Sequence, residues 1–161
     1  MTESLADAPA TYRVVSEPSG SVYLALLAFA ERHSSRFTLV WQRRLTFAAG
    51  AWAIKDALVP FQEKAMDTSE WPGTTLIGGT AIVRRYRFSP EATEVLAAAE
   101  RLYAWRAPER PEDLACYGAD GNWWLASVAH EGMACLRLER DELSLLRTEV
   151  PGLELIPLAT T

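Results

Sequence analysis

Residues 114–138 read LACYGADGNWWLASVAHEGMACLRL. Two turn signals divide this run. Asp120-Gly121 suits the positive-φ positions of a tight hairpin, and His130-Glu131-Gly132 marks a second short turn. Three antiparallel strands follow. A two-residue loop sets Tyr117 across from Trp124; a three-residue second turn sets Ala134 across from Val128 and Leu136 across from Ala126. Side chains alternate along a strand, so one face carries Tyr117, Trp124, Ala126, Val128, Ala134 and Leu136, the expected core face. The other carries Cys116, Trp123, Leu125, Ser127, Met133, Cys135 and Arg137, which is more apolar than a face in water should be. Either a helix of the same chain covers it, or it is a patch for a partner or ligand.

Working outward, Ser89-Pro90-Glu91 is the clearest helix start, with an N-cap, a proline at the first helical position and an acid in the first turn. It opens a helix expected over residues 90–103, which the prolines at 108 and 111 follow with an extended connection. Residues 81–88 form a strand before it, joined to residues 74–77 across Gly78-Gly79 as a hairpin or as one bulged strand. Upstream, helical spacing from Phe47 through Lys64 predicts a second helix interrupted at Pro60. Residues 37–42 alternate as a strand. Residues 12–15 form another, and Ser21 caps a helix that runs to His33 and is apolar almost all round, so packed on several sides. A last short helix covers residues 141–148. The chain thus reads as α+β: a mostly antiparallel sheet of five to six strands with three to four helices, a loose end at residues 1–10 and a single domain over 11–158.

Composition narrows the class. Of the 161 residues 49% are hydrophobic and 23% charged, which removes the chain from the disordered range. The net charge of −5 speaks against nucleic-acid binding. The longest apolar run, residues 22–30, falls far short of the ~20 residues a bilayer needs. Lys55 and Lys64 are the only lysines among 16 basic residues, a skew read as a GC-rich bacterial genome. With two cysteines and no leader-like start, the cytoplasm is the expected compartment.

His130 beside Glu131 is raw material for acid-base catalysis, but no zinc-protease spacing, serine elbow or phosphate loop accompanies it. Cys116, His130 and Cys135 are too few and too widely spaced for a structural zinc site, so neither metal nor cofactor is expected. In the register above the two cysteines share a face on strands roughly 9–10 Å apart, outside disulfide reach. Arg84 and Arg85 lie on one strand and Arg43 follows Trp41; guanidinium forks grip carboxylates and phosphates and stack on aromatic rings. A solvated edge strand accounts for the strand arginines equally well. Six tryptophans supply candidate anchors, foremost Trp123 with Leu125 beside it. The expected function is a non-enzymatic protein-interaction module of a regulator, adaptor or immunity type, contacting another protein through Trp123, Leu125, Arg84, Arg85, Trp41 and Arg43. Homodimer formation through residues 81–88 is a further option. The alternative is a small-molecule binder or enzyme centred on His130 and Glu131.

Overall fold

The computed structural model describes residues 8–159 and contains, among them, ten strands and four helices: β1 (Ala10–Val14), α1 (Gly20–His33), β2 (Arg36–Gln42), α2 (Ala49–Leu58), β3 (Gln62–Thr68), β4 (Glu70–Trp71), β5 (Thr74–Thr75), β6 (Ala81–Arg87), α3 (Pro90–Ala97), β7 (Glu112–Tyr117), β8 (Trp123–Val128), β9 (Met133–Leu138), α4 (Arg140–Glu149) and β10 (Leu155–Pro157). Eight strands make one antiparallel sheet in the order β10-β1-β9-β8-β7-β2-β6-β3. The architecture is α+β as expected, with more strands than the five to six anticipated. Residues 1–7 of the expected loose end lie outside the described residues; Ala10, counted in that end, pairs with Leu138 in the β1–β9 ladder.

The largest departure is β3. Its sequence, QEKAMDT, is a continuation of helical spacing in isolation, yet around Pro60 the chain turns through Val59–Phe61 and then pairs along β6. Tertiary pairing overrides a weak local preference here. In consequence β6 is not an edge strand but lies between β2 and β3, which closes it to edge-to-edge homodimer formation. Residues 74–77 do not pair with β6 either; β5 pairs with β4 in a small separate hairpin.

The helices form one layer, in the order α2-α3-α1-α4, across one face of the sheet. Phe37, Leu39, Tyr86, Cys116, Leu125 and Leu136 point into it from the strands and meet Tyr23, Leu26, Phe29 and Leu96. A buried polar chain runs through this core: the Trp105 indole donates to the Tyr23 hydroxyl at 3.0 Å, and that hydroxyl donates to the Leu96 carbonyl. Every donor in that chain is satisfied, the condition for burying it without loss. The α1 helix starts at Gly20 (φ +55°) after Ser19, not at Ser21, and it turns one side outward, where Leu24 is half exposed. At α3 the Ser89 hydroxyl accepts from the Ala92 N–H at 3.0 Å, the expected cap. That helix stops at Ala97 because Glu100 adopts φ +67° and its carbonyl accepts from Gly20 N.

The three strands of residues 114–138 are present with two corrections. Cys116 pairs with Leu125 as read, but Tyr117 pairs with Trp123 and not with Trp124, which is the extra residue of a bulge. But Val128 pairs with Met133, because the turn is a four-residue one, Ala129 to Glu131 in a 3₁₀ turn followed by Gly132 at φ +62°. One extra turn residue flips the parity. Leu125, Ala134 and Leu136 therefore share the helix-covered face, whereas Ala126, Val128 and Cys135 occupy the other. The cysteines lie on opposite faces, contrary to the sequence reading.

Part of the second face is covered, though not by a helix, while Met133 on it is exposed. The β4–β5 hairpin folds over its centre, and Trp71 packs with Val40, Ala81, Val83, Met66 and Leu76 in a second small core. Gly73 at the hairpin turn has φ +88°, and a Cβ there would come within 2.9 Å of Val128 Cγ2. Only glycine permits both that conformation and that approach. Among the described residues no helix is long and apolar enough to cross a membrane.

Candidate functional site

At one end of the sheet β2 finishes, β7 begins and β8 runs into its turn, so Glu112, Asp113 and His130 become neighbours. The β4–β5 hairpin closes a third side, and Arg106 approaches from the connection after α3. Glu112, His130 and Arg106, together with Leu45, Gly73 to Leu76 and Glu131, line a cleft of about 500 Å³, with Asp113 behind Glu112 outside its lining. That volume falls within the range of small-ligand sites.

Asp113 is the latch of this corner. It is 1% exposed, adopts φ +56° and accepts two hydrogen bonds at 3.0 Å, one from the Trp71 indole N–H and one from the Ala129 backbone N–H. A buried non-glycine residue in the left-handed region persists only where its surroundings hold it. Here one carboxylate ties the hairpin, the start of β7 and the β8–β9 turn together. Burial raises its pKa, and the two hydrogen bonds pull it back.

Glu112 has no such partners. It is 3% exposed, lines the cleft, and accepts no hydrogen bond among the described residues. Burial first, and the neighbouring Asp113 charge second, push its carboxyl up from 4.5 to about 7; His130 and Arg106 offset part of this. The group is thus near half protonation at neutral pH. His130 stands exposed at the rim, with Nε2 3.8 Å from Glu131 Oε1. One donor atom from each of Glu112, Asp113 and His130 lies within 4.8 Å of the others, a spacing that a divalent cation can span. Asp113 is already committed to two N–H donors, which leaves two free ligands, too few to assign a metal.

The residues singled out from sequence do not assemble into one surface. His130 and Glu131 do meet, in this cleft. Leu125 is 1% exposed beneath the helices, and Trp41 is buried and stacked on Trp52 of α2 at 5.0 Å; neither is available as an anchor. Arg84 is half-buried on the helix side, with Nη1 3.4 Å from Gln62 Oε1, while Arg85 emerges on the opposite face. Arg43 is exposed and paired to Asp67 at 2.7 Å. Trp123 is half-buried beside the β4–β5 hairpin. Both thiols are shifted up by burial, Cys116 most of all, so neither is activated as a nucleophile.

Sequence reasoning missed Glu112 and Asp113 because it began the strand at Leu114. The signal was there: continuing the Ala115–Ala126 register by two and three positions sets Asp113 opposite Val128 and Glu112 opposite Ala129, next to His130. Compared with protein-family models, with curated proteins and with solved structures, the chain matches none.

Proposed function

We propose that the chain binds a small polar molecule in the cleft at the end of the sheet and that Glu112 exchanges a proton with it. The observation that carries this is Glu112 itself, a residue 3% exposed that lines a cavity of about 500 Å³, whose carboxyl has no hydrogen-bond partner among the described residues and is pushed up to about 7 by burial. A proton donor or acceptor at neutral pH works best with a pKa near that pH, and a buried group that no structural bond uses is free for a ligand. His130 at the rim, with Glu131 beside it, adds an imidazole, and Arg106 offers a positive charge to an anionic substituent. The arginine skew and the low cysteine count support a bacterial, cytoplasmic setting.

A fragment library screened by two-dimensional amide NMR tests this. Hits should move the resonances of Thr74, Thr75 and His130 together, and Glu112→Gln should weaken them by about tenfold. A library in which no fragment perturbs these amides removes the proposal.

The reading as a non-enzymatic interaction module keeps one specific observation in its favour. Ile77 is 92% exposed on a loop whose carbonyls, those of Ile77 and Gly78, are bound by the Arg44 guanidinium. A large apolar side chain held out on a fixed loop is the pattern of a binding hot spot. In that case Ile77→Asp abolishes co-purification of a stoichiometric protein from cell extract while leaving the Tm within about 2 °C. Equal recovery by both forms excludes Ile77 as the anchor.

A further inference from the structure

On the sheet face opposite the helices a second cavity, of about 300 Å³, lies between the β4–β5 hairpin and β2. Its walls are apolar: Trp71, Val83 and Met66 belong to the second small core. Its floor is polar, with Arg85, Thr38 and Tyr117. Thr38 pairs with Arg85 across β2 and β6, and the Thr38 and Tyr117 hydroxyls lie 3.4 Å apart. Arg85 is the unusual member. Its Nε is buried without a hydrogen-bond partner, and its guanidinium forms no ion pair among the described residues. The other arginine at this cavity, Arg36, is already bound to Glu63 at 2.7 Å. The lone acidic residue of the lining, Glu70, is exposed and forms no ion pair with Arg85.

We infer that this cavity is a binding site for a small monocarboxylate with an apolar tail, the carboxylate taken by Arg85 and by the Tyr117 hydroxyl, which itself accepts from Thr38, and the tail lying against Trp71, Met66 and Val83. Arg85 lines the cavity and forms no ion pair among the described residues, so the open side of its guanidinium is free to meet a carboxylate fork to fork. The apolar walls exclude a bare inorganic anion as the preferred ligand, because it would leave them wet. This site is independent of the Glu112 cleft, and each stands if the other fails.

The test is titration of the full chain with hexanoate and phenylacetate, followed by amide NMR and calorimetry, with hexanol and inorganic phosphate as comparison probes. Both carboxylates should bind with a Kd of about 1 mM or tighter and move the amides of Thr38, Met66 and Val83. Hexanol and phosphate should bind at least about tenfold more weakly, and Arg85→Gln should weaken the carboxylates by at least that factor. Met66→Glu, on the outer strand, places a competing carboxylate in the cavity and should abolish binding without removing the guanidinium; it decides the matter if Arg85→Gln does not fold. Absence of carboxylate binding up to about 10 mM, phosphate binding as tight as hexanoate, or full affinity in Met66→Glu each overturns the inference.

Discussion

Replacing Asp113 by alanine is expected to lower the stability of the folded chain by about 3–5 kcal/mol, a fall in Tm of roughly 10 °C for a chain of this length. The Trp71 indole N–H and the Ala129 backbone N–H both end on this carboxylate at 3.0 Å. Alanine leaves two buried donors unpaired, each at about 1–3 kcal/mol. It must also adopt φ +56°, where aspartate is tolerated better than alanine. The release of a desolvated carboxyl returns part of this, because burial had raised the Asp113 pKa. Asp113→Asn, which keeps one acceptor oxygen, should fall between the two. Denaturation followed by tryptophan fluorescence measures all three, and an alanine variant within about 1 kcal/mol of the parent shows that the corner is not latched here.

Glu112→Gln should have the opposite sign and a strong dependence on pH. The folded state raises this carboxyl from 4.5 to about 7, so it favours the protonated form. The stabilisation from that form is whole below about pH 4.5 and is lost as pH rises through about 7. Glutamine mimics the neutral acid and keeps the contribution at every pH. The variant is therefore expected to match the parent at acid pH and to exceed it by about 2–3 kcal/mol in alkaline solution, below the about 3.5 kcal/mol that a rise from 4.5 to about 7 carries in full, because solvent in the cleft screens the carboxyl. The same substitution should weaken ligand binding in the cleft by about tenfold. A residue whose removal stabilises the fold and weakens binding is one held for function at a cost in stability. An advantage of Glu112→Gln that does not change with pH contradicts this assignment of its charge.

The central hairpins, the Ser89 cap and the α+β class were legible because each rests on local chemistry: a turn dipeptide, a hydroxyl before proline, an apolar period. The parity of β9 was not. His130-Glu131-Gly132 looks like a three-residue turn, and only the φ of Gly132 together with the 3₁₀ turn from Ala129 shows that it takes four residues. β3 was hidden for a different reason, since its composition favours a helix and its strand form depends on the ladder with β6. The site was half legible. His130 and Glu131 stand together in sequence, but the proton chemistry of Glu112 comes from burial beneath a hairpin some 40 residues upstream, and desolvation is a property of packing that no spacing encodes.

The most direct test of the Glu112 assignment is a carbon-13 NMR titration of the chain labelled at glutamate side-chain carboxyls, with Glu112→Gln identifying the resonance. The resonance missing from the variant should titrate with a midpoint near 7, apart from the other glutamates. A midpoint at the ordinary value of about 4.5 would mean that Glu112 is solvated and charged at neutral pH, and the proposed proton exchange in the cleft would lose its basis.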